Sequence, residues 1–497
     1  MASNSYSKLS LAFFCFSWLF ALGIGQPFKA VNLGAWLVAE GWMNPSLFAN
    51  IPNKDLLDGT QVQFKSLKLN MYLAPGGGAV LIANRPSASV RETFRLWRIN
   101  ESSFKLRVFN KQFVGLKNQG KGSTVVAVSN AADAAEVFQI VRKPGDPNRV
   151  RLKASNGHFL QAATASSVTA DDGGSSDWGN QDPSVFTMHI VETLEGEYQV
   201  TNGYGPEKAP QIMRNHWSTY ITEDDFRFMS ENGINAVRIP VGWWIKYDPT
   251  PPKPFVGGSL KALDNAFRWA ENHNIKVIVD LHAAPGSQNG FHHSGTRDGF
   301  LEWGESKIPE TVAVIDFLAQ RYAHHPSLAA IELINEPLDP GVTFGTLSKY
   351  YKAGYDAVRK YTSTAYVILS SRFGPASNTE FLPLASGLGR VVIDVHYYSL
   401  YKSFEKLSVQ QNIALIYNKR ASQLQEVTPS NGPLSFVGEW TSEWEVNNAS
   451  MEDYQRFAKA QLDVYGKATF GWAYWSYKNV YPHWSLRWMI SNNYIKL

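Results

Sequence analysis

The sequence predicts an α/β protein: a (β/α)8 TIM barrel with an inserted all-β domain of the β-trefoil type. Three observations support this prediction. Short apolar runs alternate with helical segments through the second half of the chain, which is typical of parallel βα units. The first half carries three repeats in which apolar and polar residues alternate. One strand precedes the repeats and has no helix of its own before they begin.

The N-terminal segment, residues 1–25, is predicted to be a cleaved signal peptide. Its apolar run at residues 9–25 is shorter than the ~20 residues that span a bilayer, although an uncleaved membrane anchor is the alternative. Cleavage removes Cys15, the only cysteine, so the mature chain forms no disulfide. The sequons at Asn100 and Asn448 fit a glycoprotein. We therefore expect a secreted protein, extracellular or in the cell wall.

A strand is predicted next, at residues 28–36, and residues 26–54 are assigned to the start of the barrel. The partner helix of this strand is expected only near Ile221, after the repeats. Loops at the catalytic face of a barrel tolerate such additions. The insertion is therefore assigned to residues 55–192, and the remainder of the barrel to residues 193–497.

The repeats share a polar turn followed by an aromatic-aliphatic pair, which begins at Tyr72, Phe113 and Phe159. A second marker recurs at Phe94, Phe138 and Phe186. Both markers step by roughly 40 to 50 residues, which indicates three similar units. Alternation as in residues 94–99 is typical of half-buried strands. Three all-β units predict a β-trefoil, which either binds polysaccharide or serves as a spacer.

The second half supplies seven predicted strands, at residues 236–241, 276–281, 329–334, 366–369, 391–395, 434–437 and 471–474. Helices are predicted between them, at residues 260–272, 311–322, 347–360, 408–425 and 451–465. An earlier helix begins after Thr222, whose capping box is completed by Asp225. With the strand before the repeats, the count reaches the eight that a closed barrel requires.

Polar residues at the carboxyl ends of barrel strands are the candidate functional residues. They are Glu40, Arg238, Asp280, His282, Asn335, Glu336, His396, Tyr398, Glu439 and Trp475. Glu336 and Glu439 end the fourth and seventh strands, so they can face each other across the barrel mouth. Paired carboxylates are what glycosidic cleavage requires. We expect Arg238 to favour the charged form of Glu439, aromatic surroundings to keep Glu336 protonated, and Glu332, predicted mid-strand, to form a buried ion pair.

Composition and charge exclude several other classes. The chain of 497 residues is 44% hydrophobic, and its net charge of +4 is spread without a basic run. Disorder and nucleic-acid binding are thereby excluded. A metal-dependent barrel hydrolase is a rival, because Asp280, His282, His292, His293 and His396 are ligand types, but the first strand lacks a His pair. No metal or other cofactor is expected.

Several motifs resemble glycoside hydrolase family 5 of clan A. They are Val237-Arg238-Ile239-Pro240, Asp280-Leu281-His282, Asn335-Glu336-Pro337, His396-Tyr397-Tyr398 and Gly438-Glu439-Trp440. Further segments resemble its exo-β-1,3-glucanase branch, whose plant members carry an inserted fascin-like domain. They are Leu33-Gly34-Ala35-Trp36, His216-Trp217-Ser218, Ala284-Pro285-Gly286 and Gly471-Trp472-Ala473-Tyr474-Trp475. The resemblance covers essentially the whole mature chain.

The resemblance implies a retaining mechanism with Glu336 as general acid/base and Glu439 as nucleophile. It implies that Arg238 and Tyr398 orient Glu439, and that His396 supports Glu336. It further implies that Asn335, His282 and Glu40 bind sugar hydroxyls, that Trp475 forms the pocket floor, and that Phe291 and Tyr401 frame its entrance. The sequence departs from the branch at Phe291-His292-His293, where relatives commonly bring an acidic residue toward the sugar.

The expected function is therefore exo-hydrolysis of β-1,3-glucans or β-glucosides by a monomer. Alternatives within the clan are a β-1,4-glucanase, a mannanase or a transglucosidase. A catalytically silent cell-wall carbohydrate-binding protein is the alternative outside enzymes, because a fold alone does not prove activity.

Overall fold

The computed structural model describes residues 26–131, 136–400, 404 and 406–497. The predicted signal peptide and Tyr401 lie outside these described residues. Within them the chain forms two sheets, a closed eight-stranded barrel and a separate sheet of twelve strands. None of the helices in the described ranges combines the length and apolar character needed to cross a bilayer.

The chain contributes one strand to the barrel, β1 at Phe28–Asn32, and then enters the second sheet. The strands of that sheet are β2 (Gln61–Ser66), β3 (Met71–Pro75), β4 (Leu81–Arg85), β5 (Thr93–Arg98), β6 (Ser103–Arg107), β7 (Phe113–Leu116), β8 (Ser123–Ser129), β9 (Phe138–Lys143), β10 (Asp146–Lys153), β11 (Phe159–Thr164), β12 (Ser167–Asp172) and β13 (Phe186–Glu192). We call residues 61–192, which hold these strands, the insert.

The strands of the insert pair in a closed ring with three hairpins attached. Neighbours in the ring are β2, β5, β6, β9, β10 and β13, and β13 pairs back with β2. The hairpins are β3–β4, β7–β8 and β11–β12. Aromatic and aliphatic residues that alternate along these strands point inward and form an apolar core of their own, including Phe64, Phe94, Phe104 and Phe138.

The chain then returns to the barrel, whose remaining strands are β14 (Ala236–Gly242), β15 (Lys276–Ala283), β16 (Leu328–Glu332), β17 (Tyr366–Ser370), β18 (Val391–Tyr397), β19 (Leu434–Trp440) and β20 (Gly471–Tyr474). All neighbours run parallel, and β1 pairs with both β14 and β20 to close the barrel. The predicted eight-stranded barrel is therefore confirmed. Its strands are buried on both faces, which explains their continuous apolar sequences.

Helices surround the barrel: α1 (Glu197–Thr219), α2 (Glu223–Glu231), α3 (Ser259–Asn272), α4 (Ile308–Tyr322), α5 (Phe344–Arg359), α6 (Leu382–Ser386), α7 (Val409–Leu415), α8 (Ala421–Glu426), α9 (Met451–Tyr465) and α10 (Leu486–Ser491). The capping box of α2 forms as predicted, since the Asp225 carboxylate accepts from the Thr222 backbone N–H at 2.9 Å. A π-helical turn at Ile416–Arg420 separates α7 from α8, where one continuous helix was predicted.

Several elements differ from the prediction. The helix predicted near Ile221 forms as α2, which begins at Glu223, but α1 at Glu197–Thr219 precedes it and was not predicted, because Pro206 and Pro210 lie inside α1 and obscure its pattern. The first strand ends at Asn32 rather than at residue 36. The fourth barrel strand ends at Glu332, so Glu332 is its last residue and not a mid-strand one.

Candidate active site

The candidate residues converge at one end of the barrel, because the carboxyl ends of parallel strands share an edge. Arg238 lies in β14, His282 in β15, His396 in β18 and Glu439 in β19. Asn335 and Glu336 follow β16 in a loop without regular structure. Glu336 adopts a φ of 45°, a left-handed conformation that costs on the order of 1–3 kcal/mol and is found preferentially at functional sites.

The two predicted carboxylates lie close together across the barrel mouth. One oxygen of Glu336, one of Glu439 and a ring nitrogen of His396 all lie within 4.8 Å of one another. Both carboxylates are buried, with exposed fractions of 7% for Glu336 and 4% for Glu439. Glu336 and Glu439, at the ends of the fourth and seventh barrel strands, therefore line the same cavity.

Arg238 lies under this pair as the centre of a buried ionic network. Its guanidinium binds Glu332 through two hydrogen bonds, at 2.7 and 2.9 Å, and contacts Glu439 at 3.1 Å. It also donates to the side-chain oxygen of Asn335 at 2.9 Å. Although burial lowers the pKa of Arg238, Asp280 and Glu332 raise it well above its ordinary value, so the guanidinium stays charged. Glu332 therefore forms the buried ion pair expected of it.

Glu439 is surrounded by cations and a phenol. The Tyr398 hydroxyl donates to Glu439 Oε2 at 2.6 Å, and His396 Nδ1 lies 3.5 Å from the same oxygen. Burial raises the pKa of the Glu439 carboxyl above its ordinary value, against the lowering effects of His396 and Arg238. Arg238 therefore favours the charged form of Glu439, as expected, although burial leaves the pKa of this carboxyl raised.

His396 bridges the acids. Its Nδ1 lies 2.8 Å from Glu336 Oε1, and its Nε2 lies 3.0 Å from Asp394. Burial lowers the pKa of His396, but Glu439 and Asp394 raise it well above its ordinary value. The raised pKa favours the protonated imidazole, which donates from Nδ1 to Glu336 and from Nε2 to Asp394 and so orients Glu336.

Two buried donors beside the catalytic pair have no partner among the described residues. They are Nε2 of His282 and the amide nitrogen of Asn335. The other ring nitrogen of His282 lies 2.6 Å from Asp280, which helps raise the pKa of this histidine despite its burial. A buried donor without a partner is costly unless a ligand supplies the acceptor, so both groups fit hydroxyl-bearing ligands.

The site opens into a cavity of about 440 Å3, within the ~300–1,000 Å3 typical of small-molecule pockets. It is lined by Glu40, Trp42, Phe291, His292, His293, Glu336, Phe373, Tyr398, Glu439, Trp475 and Trp484. The indole of Trp475 stacks on His282, with ring centres 5.4 Å apart. Glu40 accepts from the Trp42 indole at 2.9 Å. Glu40, Phe291 and Trp475 therefore line this cavity, while His282 packs against Trp475 and Asn335 directly precedes Glu336.

The entrance carries an aromatic pair, of which the sequence pointed to Phe291 but not to Phe373. Phe291 and Phe373 meet edge to face, with ring centres 5.7 Å apart. Each is 39% exposed, which places them at the rim rather than in the core. Phe373 follows β17 in a loop with no periodic pattern, and its position just beyond a strand end was the one signal that could have found it. Tyr401 was predicted beside Phe291 but is outside the described residues.

The segment Phe291-His292-His293 forms one wall of the cavity. His293 Nε2 lies 3.7 Å from Glu336 Oε2, and His292 Nε2 lies 3.5 Å from Glu40 Oε2. Glu40, His292 and His293 together have three donor atoms within reach of one cation. Burial lowers the pKa of His293 well below its ordinary value, and the neighbouring cations add to this. His293 is therefore neutral and able to bind a hydroxyl.

Both sequon asparagines, Asn100 and Asn448, have exposed side chains. Asn100 lies in the insert and Asn448 precedes α9 in the barrel. Neither is near the cavity-lining residues in sequence, so sugar chains attached at these positions would not enter the site from an adjoining residue.

A (β/α)8 barrel with two close carboxylates at its fourth and seventh strands, above a cavity of aromatic rings and hydroxyl-binding groups, defines a glycosidase. Comparison with known proteins agrees. Residues 201–480 match the family described as cellulase (glycosyl hydrolase family 5), and residues 53–191 match a domain of unknown function, DUF7910. The chain belongs to glycosyl hydrolase family 5.

Relatives with described activities are similar over most of their length. A glucan 1,3-beta-glucosidase of Blumeria graminis is 32% identical over 324 residues, covering 57% of this chain and 74% of the relative. A probable glucan 1,3-beta-glucosidase A of Emericella nidulans is 33% identical over 355 residues, covering 62% and 84%. The crystal structure of a rutinosidase from Aspergillus niger shares the fold, with a TM-score of 0.52 and 21% identity over 60% of this chain and 88% of that one.

Proposed function

We propose that this glycosidase is a retaining, exo-acting enzyme that cleaves β-1,3-glucans or related β-glucosides. The observation that carries the proposal is the proximity of Glu336 and Glu439, whose oxygens lie within 4.8 Å. Retaining glycosidases have carboxyl groups about 5–5.5 Å apart, whereas inverting ones leave about 6.5–9.5 Å for a water.

In the first step, Glu439 attacks the anomeric carbon and Glu336 gives its proton to the departing glycosidic oxygen. The bond to the leaving sugar breaks as the bond to the Glu439 carboxylate forms. Arg238, His396 and Tyr398 support this role, because all three contact Glu439 and favour its ionised form. The Glu439 carboxylate loses its charge when the glycosyl ester forms, and the same contacts stabilise the carboxylate that leaves when the ester is hydrolysed.

In the second step, Glu336 acts as a base. It removes a proton from water, which attacks the anomeric carbon and releases Glu439. Two inversions at one carbon give retention. We assign Asn335 and His282 to donate to hydroxyls of the bound sugar, since each has a buried donor beside the catalytic pair without a partner among the described residues. Hydrogen bonds to the 2-hydroxyl strengthen in the transition state of glycosidases, and we assign that role to Asn335.

Exo action on β-1,3 linkages is supported by the shape of the site and by the relatives. The buried Trp475 lines the cavity, and the exposed rings of Phe291 and Phe373 meet at its rim, which suits entry of one chain end. Two relatives above 30% identity are described as glucan 1,3-beta-glucosidases. Glu40, Trp475 and the rim phenylalanines then bind the terminal sugar and its neighbour.

We also propose that the insert is a β-trefoil of the fascin-like type. Its six-stranded ring and three hairpins support this, since they follow the three repeats of the sequence. Secretion is part of the same proposal and is supported by the apolar run at residues 9–25. Both sequons would then be exposed to glycosylating enzymes.

The proposal is tested with laminari-oligosaccharides, cello-oligosaccharides and an aryl β-glucoside. Wild type is expected to release glucose of retained configuration from chain ends of β-1,3-linked substrates. Glu439→Ala and Glu336→Ala are expected to lose roughly 10²–10⁴-fold or more in kcat. Azide is expected to restore turnover of Glu439→Ala with inverted product, because it replaces the missing nucleophile. Mid-chain cleavage, preference for β-1,4 linkages, or unchanged activity of either variant would contradict the proposal.

A further inference from the structure

The insert contacts the loop that forms one wall of the cavity. This loop, residues 284–303, follows β15 and contains only a short 3₁₀ turn at His292–Ser294. We call it the β15 loop. Because it lacks regular secondary structure, its conformation depends on contacts at its two sides.

The inner side of the β15 loop is tied to the catalytic region. The Asn289 amide donates to the Glu336 carbonyl at 3.1 Å and lies 2.9 Å from His293. The Gln288 amide donates to the carbonyl oxygens of His282 and Asn335, both at 2.8 Å. A shift of this loop would therefore disturb the backbone at His282, Asn335 and Glu336.

The outer side of the β15 loop is held by the insert, chiefly through Asp298. The Asp298 carboxylate accepts from the Trp97 indole at 2.5 Å and pairs with Arg107 at 2.7 Å. Arg95 donates to the Asp298 carbonyl oxygen. Arg107 also pairs with Glu302 at 2.9 Å. These three insert residues lie on the adjacent strands β5 and β6, so a single hairpin of the insert holds the outer side of the β15 loop.

Stacking adds to these polar contacts. The Arg297 guanidinium lies 3.8 Å from the centre of the Trp97 ring, and Arg95 lies 4.2 Å from that of Phe300. Gly299 has a φ of 77°, and a Cβ there would meet the Arg95 guanidinium at 2.4 Å. Only glycine at this position allows both the backbone conformation and the approach of Arg95.

We propose that Arg107 and Trp97 of the insert are positioning residues for the glycosidase reaction: through Asp298 they hold the β15 loop so that Phe291, His292 and His293 form the cavity wall. Arg107 and Asp298 are both nearly fully buried, so removing the Arg107 guanidinium leaves the Asp298 carboxylate without its ion-pair partner. The insert then helps to form the active site, independently of any ligand that it binds itself. The inference rests on the proposed function only in that these loop residues contact substrate.

The test compares Arg107→Ala and Arg107→Lys with Arg151→Ala as a matched control. Arg151 is also buried and pairs with Asp182 at 2.6 Å, but its contacts stay inside the insert. All three are assayed on an aryl β-glucoside at a temperature where each is folded. For Arg107→Ala we expect KM to rise and kcat/KM to fall roughly tenfold to a hundredfold. Arg107→Lys should recover part of this loss, because it keeps a charge for Asp298.

Hydrogen exchange supplies a readout independent of activity. Amides of residues 288–296 are expected to exchange faster in Arg107→Ala but not in Arg151→Ala. Equal kinetic effects in both alanine variants, or unchanged exchange and KM in Arg107→Ala, would overturn the proposal. The aryl glucoside reports any β-glucosidase activity, so the comparison of variants remains valid even if the enzyme does not prefer β-1,3 linkages or chain ends. The positioning role and the proposed substrate preference can therefore fail independently.

Discussion

Two buried arginines show how differently the barrel and the insert use charge. Arg238 of the barrel contacts Glu332 and Glu439, and its network opens on the cavity. Arg151 of the insert pairs with Asp182 alone and directs its remaining donors to backbone carbonyl oxygens and serine hydroxyls. The network of Arg238 leaves carboxylate oxygens available to a ligand. The donors of Arg151 all find acceptors within the insert.

Burial of an ion pair therefore does not by itself indicate function. What distinguishes Arg238 is that two unpartnered donors, on His282 and Asn335, lie in the same network. Arg151 instead ties the segment around Asp177 to β10. Arg107 is intermediate, because it belongs to the insert but pairs with a barrel loop. Its variants connect the two regions experimentally.

The largest effect is expected from Arg238→Met. Removing this cation leaves Glu332, Asp280 and Glu439 buried without their common partner, which typically costs about 3–5 kcal/mol. We expect a large drop in the free energy of unfolding, measured with urea, and loss of measurable glycosidase activity even at temperatures where the variant is folded.

Arg151→Met is the control for that prediction. It removes one carboxylate contact and several neutral hydrogen bonds, so we expect a loss of stability of about 1–3 kcal/mol with kcat/KM close to wild type. Comparable loss of activity in the two methionine variants at matched folded fractions would show that the buried arginines of the barrel and of the insert do not differ in their role in activity.

Sequence reasoning predicted the barrel and the catalytic pair because both leave local signals. Strands buried on two faces read as apolar runs, and Glu336 and Glu439 directly follow such runs. The start of α1 at Glu197 was missed because Pro206 and Pro210 interrupt its pattern.

Contacts between distant segments left no such signal. Asp298 and Arg107 are 191 positions apart, and nothing in either segment indicates the other. The same holds for Phe373 beside Phe291. The effect of burial on the pKa of Glu439 left no signal for a related reason, since the degree of desolvation depends on the whole pocket. What the sequence could not provide is therefore the tertiary arrangement around residues it had already singled out.

Glu197 is a buried carboxylate that has no arginine partner among the described residues. Glu197, the first residue of α1, accepts a hydrogen bond from the Ala39 backbone at 2.9 Å, and its other oxygen has no partner among the described residues. Burial raises the pKa of Glu197 from 4.5 to about 8. The folded protein therefore keeps this group protonated where the unfolded chain has released the proton, so stability falls as pH rises from about 4.5 toward 8.

Glu197→Gln is expected to remove that part of the pH dependence, because the amide mimics the neutral acid. Relative to wild type, the variant should gain roughly 3 kcal/mol in free energy of unfolding at pH 7 and almost nothing at pH 4. Urea unfolding across this range measures the difference. Parallel curves for the two proteins would show that Glu197 is ionised in the folded state and has a partner after all.

The smallest effect is expected at exposed ion pairs, where the two regions should not differ. Lys121 of the insert lies 3.9 Å from Asp171, and Lys459 of α9 lies 2.7 Å from Asp463, with lysine side chains about 69% and 71% exposed. Water screens both pairs, and Lys459 precedes its partner on the helix, which is the less favourable order. Lys121→Ala and Lys459→Ala should therefore match wild type in urea midpoint and in kcat/KM. A clear destabilisation by one of them alone would mean that surface charge, and not the burial of ion pairs, separates the insert from the barrel.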